Sequence, residues 1–221
     1  MRGYGLPGVC VNAMAAIALL FWLSVAQAGA PPIRILMFGA SITAGYGLDA
    51  ADSLTTQLEQ ALRAHGVNAT VINGGVSGDT SAGGLARLDW SLGDNPDLVI
   101  VDLGGNDALR AIDPKTTEAN LDAIVTRLKA EKRGVLIAGM LAPPNLGADY
   151  AAAFNAVFPA VAARHKVTLY PFLLDGVVAN PALNQADGIH PNAAGVKVIV
   201  ERMLPYVLQA IQQLDRKASG S

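Results

Sequence analysis

Apolar and polar positions follow two different periods along the chain, and the two alternate. Short, nearly continuous apolar runs, typical of strands buried on both faces, predict strands at residues 33–38, 69–73, 97–103, 135–140 and 167–170. Apolar residues at helical spacing predict helices at residues 53–65, 116–132, 150–165 and 192–214. A further helix is predicted after the glycine-rich stretch that follows the second strand, and it ends at about residue 92. This alternation is typical of an α/β domain with a parallel sheet and right-handed crossovers.

The order of the strands decides where such a sheet binds a ligand. Among open arrangements, the order 2-1-3-4-5 puts a switch point between the first and third strands, and ligands bind outside the carboxyl ends of the strands there. The segment with Ser41 and the segment with the sequence GGND follow these two strands, so both would flank the switch point. No internal repeat or linker precedes a polar tail from about residue 215.

The first 28 residues have the pattern of a signal peptide. Arg2 lies near the start, an apolar core runs from about residue 13 to 25, and Ala-Gln-Ala precedes a cleavage point. The alternative is an uncleaved anchor, but Asn12 interrupts the run, and the remainder is shorter than the ~20 apolar residues that a spanning helix needs. We therefore expect cleavage, a periplasmic or secreted protein without a membrane span, and one domain over residues 29–221.

Composition narrows the chemistry of that domain. Cys10 is the only cysteine and lies in the predicted leader, so the mature chain would have no thiol nucleophile, disulfide or thiolate metal ligand. The formal net charge of −2 becomes −3 when Arg2 is lost, which does not suggest binding to nucleic acid. A packed core must therefore supply the stability of the mature chain, and this chain is long enough to bury such a core within one domain.

Ser41 is the candidate nucleophile. It follows the first predicted strand through a turn of small residues, which places its hydroxyl at the carboxyl edge of the sheet and at the start of a helix. The alternative is that Ser41 only caps this helix, because serine is a favoured N-cap residue.

His190 is the candidate base for this serine. It lies in the loop DGIHPN after the last strand, and Asp187 precedes it by three residues, so one loop could supply both the imidazole and the carboxylate that orients it. His65 and His165 lie at helix ends and are more simply interpreted as solvated last-turn residues. A metal site is disfavoured because the loop offers neither a third histidine nor a cysteine.

Three groups are candidate donors to a developing oxyanion. They are the backbone N–H of Ser41, the backbone at Gly78 after the second strand, and the side-chain amide of Asn106 after the third. Each also has a plain structural explanation, since glycine forms turns and asparagine caps helices. Their joint occurrence at strand ends is what favours an oxyanion hole.

These segments together resemble a known family. The blocks FGASITAGYG, VSGDTSAGGLARL, DLVIVDLGGNDALR and DGIHPNAAG occur in the order seen in SGNH hydrolases of the GDSL type, and most resemble exported bacterial thioesterases, arylesterases and lysophospholipases. The resemblance covers residues 33–208. It implies a flavodoxin-like sheet with helices on both faces and no cofactor. It also implies the triad Ser41, Asp187 and His190, with Gly78 and Asn106 completing the oxyanion hole.

One residue departs from the family pattern. Gly-Asp-Ser is the family sequence, whereas this chain has Gly39-Ala40-Ser41. An aspartate at this position could accept hydrogen bonds from backbone N–H groups and stiffen the nucleophile turn, which Ala40 does not do.

The sequence therefore predicts a monomeric serine hydrolase that acts on small acyl esters through an acyl-enzyme. Aryl esters, lysophospholipids and acyl thioesters are the expected classes. A carbohydrate O-acetyl esterase is an alternative within enzymes. A non-catalytic binding protein on the same fold, or a hydrolase that has lost activity, stays open as well, although neither glycine-rich turn fits a dinucleotide or phosphate-loop pattern.

Overall fold

Five parallel strands form the centre of the fold. The computed structural model describes Met1 and residues 31–219, so the predicted signal peptide and Cys10 lie outside the described part. The strands are β1 (Ile33–Gly39), β2 (Ala69–Gly75), β3 (Leu98–Asp102), β4 (Gly134–Ala138) and β5 (Thr168–Tyr170). Their order is β2-β1-β3-β4-β5, with every pairing parallel, as the sequence predicted.

Burial explains why these segments become strands. Every residue of β3 and β4 is buried, and β1 is buried from Ile35 to Gly39. Strands that are covered on both faces need continuous apolar runs, and this is the pattern that the sequence carries.

Seven helices accompany the strands in the described residues. They are α1 (Ser41–Ala44), α2 (Leu54–Ala64), α3 (Ser81–Ser91), α4 (Gly105–Leu109), α5 (Pro114–Ala130), α6 (Ala148–His165) and α7 (Ala193–Ser219). Helix α2 packs against α7, while α5 packs against both α3 and α6, which gives one helical layer on each face of the sheet. Side-chain caps begin several helices, for example Ser53 before α2 and Asp113 before α5.

Two segments differ from the prediction. The sequence predicted no element between the strand that ends at residue 103 and the helix that begins at residue 116, but α4 occupies part of this stretch. Five residues are too few for helical periodicity to be visible. Helix α7 continues to Ser219, whereas we expected a polar tail from about residue 215. The polar residues that follow Leu214 include good helix formers, so polarity alone was the wrong criterion for ending the helix there.

Close backbone packing shapes the carboxyl edge of the sheet where β1 ends. A Cβ on Gly39 would lie 2.3 Å from Thr43 Oγ1 and 2.7 Å from Asp102 Oδ2. A Cβ on Gly75 would lie 2.2 Å from the backbone nitrogen of Ala44. Only glycine leaves room for α1 to sit this close to the ends of β2 and β3.

Candidate active site

Ser41 is the first residue of α1 and follows β1 after a single intervening residue. Its backbone N–H has no acceptor within the helix, because the first N–H groups of any helix lack one. Ala40 occupies the N-cap position and provides no side-chain hydrogen bond to the turn. The serine hydroxyl and its own N–H therefore both lie at the carboxyl edge of the sheet.

Ser41, His190 and Asp187 form a continuous hydrogen-bonded chain. Ser41 Oγ lies 2.8 Å from His190 Nε2, and His190 Nδ1 lies 2.6 Å from Asp187 Oδ2. The arrangement requires the tautomer in which Nδ1 donates to the carboxylate and Nε2 accepts from the serine hydroxyl. This is the geometry of a general base that is oriented by an acid and can remove the serine proton.

Hydrogen bonds keep the Asp187 carboxylate ionised. The backbone N–H of His190 donates to Asp187 Oδ1, the imidazole donates to Oδ2, and the N–H of Ile189 donates to Oδ1 as well. These bonds, with the His190 backbone bond first in importance, lower the pKa of Asp187 to about 2. An ionised partner is what an imidazole needs if it is to become imidazolium during the reaction.

Gln185 joins the histidine loop to the nucleophile segment. Its side-chain amide donates to the Tyr46 carbonyl at 2.8 Å and to the Pro191 carbonyl at 3.0 Å, and its backbone N–H donates to the His190 carbonyl at 2.8 Å. The Tyr46 ring packs on the His190 ring with centroids 4.7 Å apart. The imidazole is thus held from the side as well as through its two nitrogens.

Gly78 lies in the loop that follows β2, and Asn106 lies in α4, which follows β3. Gly78 has φ +86°, and its carbonyl accepts a hydrogen bond from Arg110 Nη2 at 2.8 Å. Asn106 Nδ2 donates to the Asp79 carbonyl at 2.9 Å. Because an amide nitrogen has two hydrogens, one is still available to an oxyanion. The loop after β2 and the start of α4 are therefore joined directly.

Two buried carboxylates lie beside these segments. Asp102, which is 2% exposed, accepts a hydrogen bond from Thr43 Oγ1 at 2.6 Å. Burial raises its pKa to about 7, and the Thr43 bond opposes that rise. Asp107 is fully buried and accepts from the backbone N–H and hydroxyl of Ser81 and from the Thr117 hydroxyl. Both anchor short elements that carry candidate site residues.

Sequence reasoning missed these anchoring residues. Asp102 interrupts the apolar run DLVIVDL, and a charge at the end of a buried strand is a signal that could have been followed. Asp79 and Arg87 stand in the block VSGDTSAGGLARL, but eight residues separate them, and nothing in the spacing shows that they pair. Contacts between distant segments leave no periodic trace in a sequence.

The other two histidines, His65 and His165, make their hydrogen bonds with residues outside the candidate site. His65 is exposed and its Nδ1 lies 2.9 Å from the Ala61 carbonyl, as expected for a last-turn residue. His165 was expected to be solvated, but its side chain is only 14% exposed and lies 2.9 Å from Asp122. Packing of α6 against α5 buries it, which the helix-end position alone did not reveal.

Comparison with known proteins agrees with this geometry. The profile of the GDSL-like Lipase/Acylhydrolase family matches residues 37–198. The chain belongs to the GDSL-like lipase/acylhydrolase family. This match confirms the family and the class of enzyme that the four sequence blocks indicated.

Relatives within the family carry esterase and thioesterase names. Esterase TesA of Pseudomonas aeruginosa is 42% identical over 172 residues, covering 77% of this chain and 86% of that protein. Thioesterase 1/protease 1/lysophospholipase L1 of Escherichia coli K12 is 35% identical over 188 residues, covering 85% of this chain and 89% of that one. A crystal structure of TesA superimposes with a TM-score of 0.77 at 41% identity, covering 80% of this chain and 99% of that chain. The fold prediction is thereby confirmed.

Helix length and hydropathy together determine whether a helix could cross a membrane. Across the described residues, no helix is both long enough and apolar enough to span a bilayer.

Proposed function

We propose that this chain is a serine esterase that cleaves carboxylic esters through a covalent acyl-enzyme, with Ser41 as nucleophile and His190 and Asp187 as its base and orienting acid. The observation that carries the proposal is the hydrogen-bonded chain Ser41–His190–Asp187 at the carboxyl edge of the sheet. Family membership supports the same class of reaction.

Acylation begins when Ser41 Oγ attacks the ester carbonyl and His190 Nε2 takes the hydroxyl proton. Negative charge develops on the carbonyl oxygen, and three donors are candidates to stabilise it: the N–H groups of Ser41 and Gly78 and the free amide hydrogen of Asn106. The tetrahedral intermediate collapses as His190 returns the proton to the departing alkoxide. The alcohol leaves, and the acyl group stays on Ser41.

Deacylation repeats these steps with water. His190 takes a proton from the water as it attacks the acyl-enzyme, the same donors stabilise the second oxyanion, and the proton then returns to Ser41 Oγ. The products are the carboxylic acid and the free enzyme. The same steps would serve an acyl thioester, with a thiol as the leaving group.

Apolar side chains around the site favour an acyl or aryl substrate over a sugar. Six of the large hydrophobic residues that remain exposed lie in segments that follow the carboxyl ends of the five strands, namely Tyr46, Val76, Leu109, Leu141, Val178 and Ile189, whereas the exposed Trp90 lies at the end of α3. Exposed apolar surface that is concentrated on one side of a protein marks a binding surface. An acetylated carbohydrate would place polar groups against this surface, which makes the O-acetyl esterase alternative the weaker one.

Export would decide which of these substrates the protein meets. The leader pattern at residues 1–28 supports a periplasmic or secreted location, where acyl-CoA is scarce. We therefore propose a lysophospholipid or another small acyl ester as the natural substrate, with acyl thioesters as a further class that the site accepts. We also propose that the protein is a monomer.

Labelling and hydrolysis of the purified mature protein test this proposal. A fluorophosphonate probe should label the wild-type protein at Ser41, with the position located by mass spectrometry of the labelled peptide. A series of p-nitrophenyl esters from acetate to palmitate, run beside a lysophospholipid and an acyl-CoA, then gives the substrate class.

Two variants provide the controls. Ser41→Ala should abolish both labelling and hydrolysis while leaving the melting temperature nearly unchanged. His65→Ala, which alters an exposed histidine, should behave as the wild type. Labelling that persists in Ser41→Ala would contradict the proposed nucleophile, and a wild-type protein that neither labels nor hydrolyses any ester would contradict the enzyme class.

A further inference from the structure

Arg87 makes an unusual set of contacts for a residue outside the proposed triad. Its Nε donates to Asp79 Oδ2 at 2.5 Å, its Nη2 to the Gly39 carbonyl at 2.9 Å, and its Nη1 to Ser91 Oγ at 3.0 Å. The guanidinium also lies over the Phe38 ring, 4.4 Å from its centroid. All three nitrogens of the guanidinium thus have partners.

These partners belong to different parts of the site. Gly39 is the last residue of β1, two residues before Ser41. Asp79 follows Gly78, and its carbonyl accepts the amide hydrogen of Asn106. One guanidinium therefore connects the nucleophile segment directly to the loop that carries one oxyanion donor, and through that loop to the other.

The environment makes this connection rigid. The Arg87 and Asp79 side chains are only 16% and 17% exposed, so solvent screens their interaction little. A guanidinium is planar and holds its donors at fixed angles, so the Asp79 carboxylate and the Gly39 carbonyl must keep a fixed relative position. A lysine ammonium has no such fork and could satisfy only part of this arrangement.

We propose that Arg87 is a positioning residue that sets the distance between the Ser41 hydroxyl and the oxyanion donors at Gly78 and Asn106. The inference rests on the proposed function. Arg87 acts through Gly39 and Asp79 and touches neither substrate nor reacting atoms. Its loss should therefore weaken stabilisation of the transition state more than binding of the substrate.

Arg87→Lys tests the inference, with Arg127→Lys as the matched control. Arg127 is also a helical arginine with acidic partners, Asp89 and Glu131, but its side chain is 53% exposed and it lies on α5. We expect Arg87→Lys to lower kcat by up to about 10²-fold, the effect of misplacing reacting groups by about an ångström, with little change in KM. The control should match the wild type in both parameters.

A tetrahedral probe separates positioning from a general loss of structure. A boronic acid forms a tetrahedral adduct with an active-site serine, so its affinity should fall in parallel with kcat/KM in Arg87→Lys. Binding of the carboxylic acid product should change little. A kcat equal to that of Arg127→Lys, or a loss confined to KM, would overturn the inference.

Asp79→Asn provides a second route if Arg87→Lys fails to fold. Asparagine keeps an oxygen that can accept from Arg87 Nε but removes the charge, so we expect the same pattern with a smaller loss of kcat. Where Arg87→Lys does fold, the loss of kcat in the double variant Arg87→Lys/Asp79→Asn should be smaller than the product of the two single losses, because the residues act as one unit. An unchanged kcat in Asp79→Asn, or fully multiplicative losses in the double variant, would overturn the inference.

Failure of the inference can be told apart from failure of the proposed function. If the wild-type chain hydrolyses no ester, both are overturned. If it hydrolyses esters and either Arg87→Lys or Asp79→Asn leaves kcat unchanged, only the role of Arg87 is overturned.

Discussion

Asp187 accepts a hydrogen bond from His190, Asp102 accepts one from Thr43 in the helix that begins at Ser41, and the pKa values of these two carboxyl groups are shifted in opposite directions. The Asp187 side chain is 37% exposed, accepts three hydrogen bonds and has a pKa lowered to about 2. Asp102 is buried, accepts one side-chain hydrogen bond and has a pKa raised to about 7. The difference teaches that burial favours the neutral carboxyl group, whereas several hydrogen-bond donors keep a carboxylate near the surface ionised.

The same contrast divides the site into two halves. The loop half, with Asp187 and His190, depends on charge and is held by hydrogen bonds near the surface. The strand-end half, with Ser41, Gly78 and Asn106, depends on fit and is anchored by buried or nearly buried side chains. Substitutions in the two halves should therefore differ in what they change: protonation in the first, geometry and stability in the second.

Asp187→Asn should break the loop half most severely. Asparagine can stabilise the wrong tautomer of the imidazole and cannot balance the imidazolium, so we expect kcat to fall by up to about 10⁴-fold. The melting temperature at neutral pH should change little, because the side chain lies at the surface. Measured kcat and thermal unfolding of the same preparation check both statements.

A double variant sharpens this prediction. Asp187→Asn combined with His190→Ala should be little worse than His190→Ala alone, since members of one catalytic unit are strongly non-additive. Fully multiplicative losses would mean that Asp187 only holds the loop in shape.

Asn106→Ala should impair the strand-end half by removing a side-chain hydrogen-bond donor. If Asn106 is an oxyanion donor, as we propose, its loss should lower kcat by about 10²- to 10³-fold, and we expect KM to change less. The Asp79 carbonyl also loses its partner, so a small decrease in stability should accompany the loss. A rise in KM at constant kcat would instead identify Asn106 as a residue that positions the substrate.

Asp102→Asn should alter the dependence of stability on pH. Because the folded state raises the pKa of Asp102, it binds this proton more tightly than the unfolded chain does. The resulting stability is fully present below about pH 4 and is lost as pH rises to about 7. The variant should lack this decline, as measured by urea unfolding from pH 4 to 8. Parallel curves for wild type and variant would contradict a raised pKa.

Ala40→Asp should have the smallest effect and should favour activity. Ala40 is the N-cap of α1, and an aspartate there can accept hydrogen bonds from the first N–H groups, which is worth about 1 kcal/mol at a helix start. We expect a higher melting temperature and a modest increase in kcat on both short and long p-nitrophenyl esters.

An opposing effect makes this substitution a sharp test. A new negative charge near the oxyanion disfavours the transition state, and such pairs are worth about 1 to 4 kcal/mol depending on the effective dielectric. Because residue 40 is only partly buried, we expect a repulsion at the low end of this range, which the hydrogen bonds at the helix start should outweigh. A lower kcat on both esters at an unchanged melting temperature would show that repulsion dominates.

The sequence predicted the sheet because a strand that is buried on both faces needs a continuous run of apolar residues, which can be recognised locally. It also predicted that His190 and Asp187 lie together, since two residues that are three positions apart in one loop must be neighbours. It did not predict α4, which is too short for periodicity, or the burial of His165, which depends on how α6 packs. It did not predict the Asp102–Thr43 pair, because these residues belong to distant segments that only the fold brings together. It did not predict the Arg87–Asp79 pair either, because a spacing of eight residues does not by itself show that two side chains pair.

The hydrogen bond between Ser41 and His190 joins residues that are 149 positions apart. A contact of such long range forms only when nearly the whole domain has been assembled, and the loop with His190 is synthesised well after Ser41. A partly made chain would carry the proposed nucleophile, Ser41, without its proposed base, His190. The enzyme should therefore stay inert during its own synthesis, and reaction of Ser41 with a fluorophosphonate would report the completion of folding.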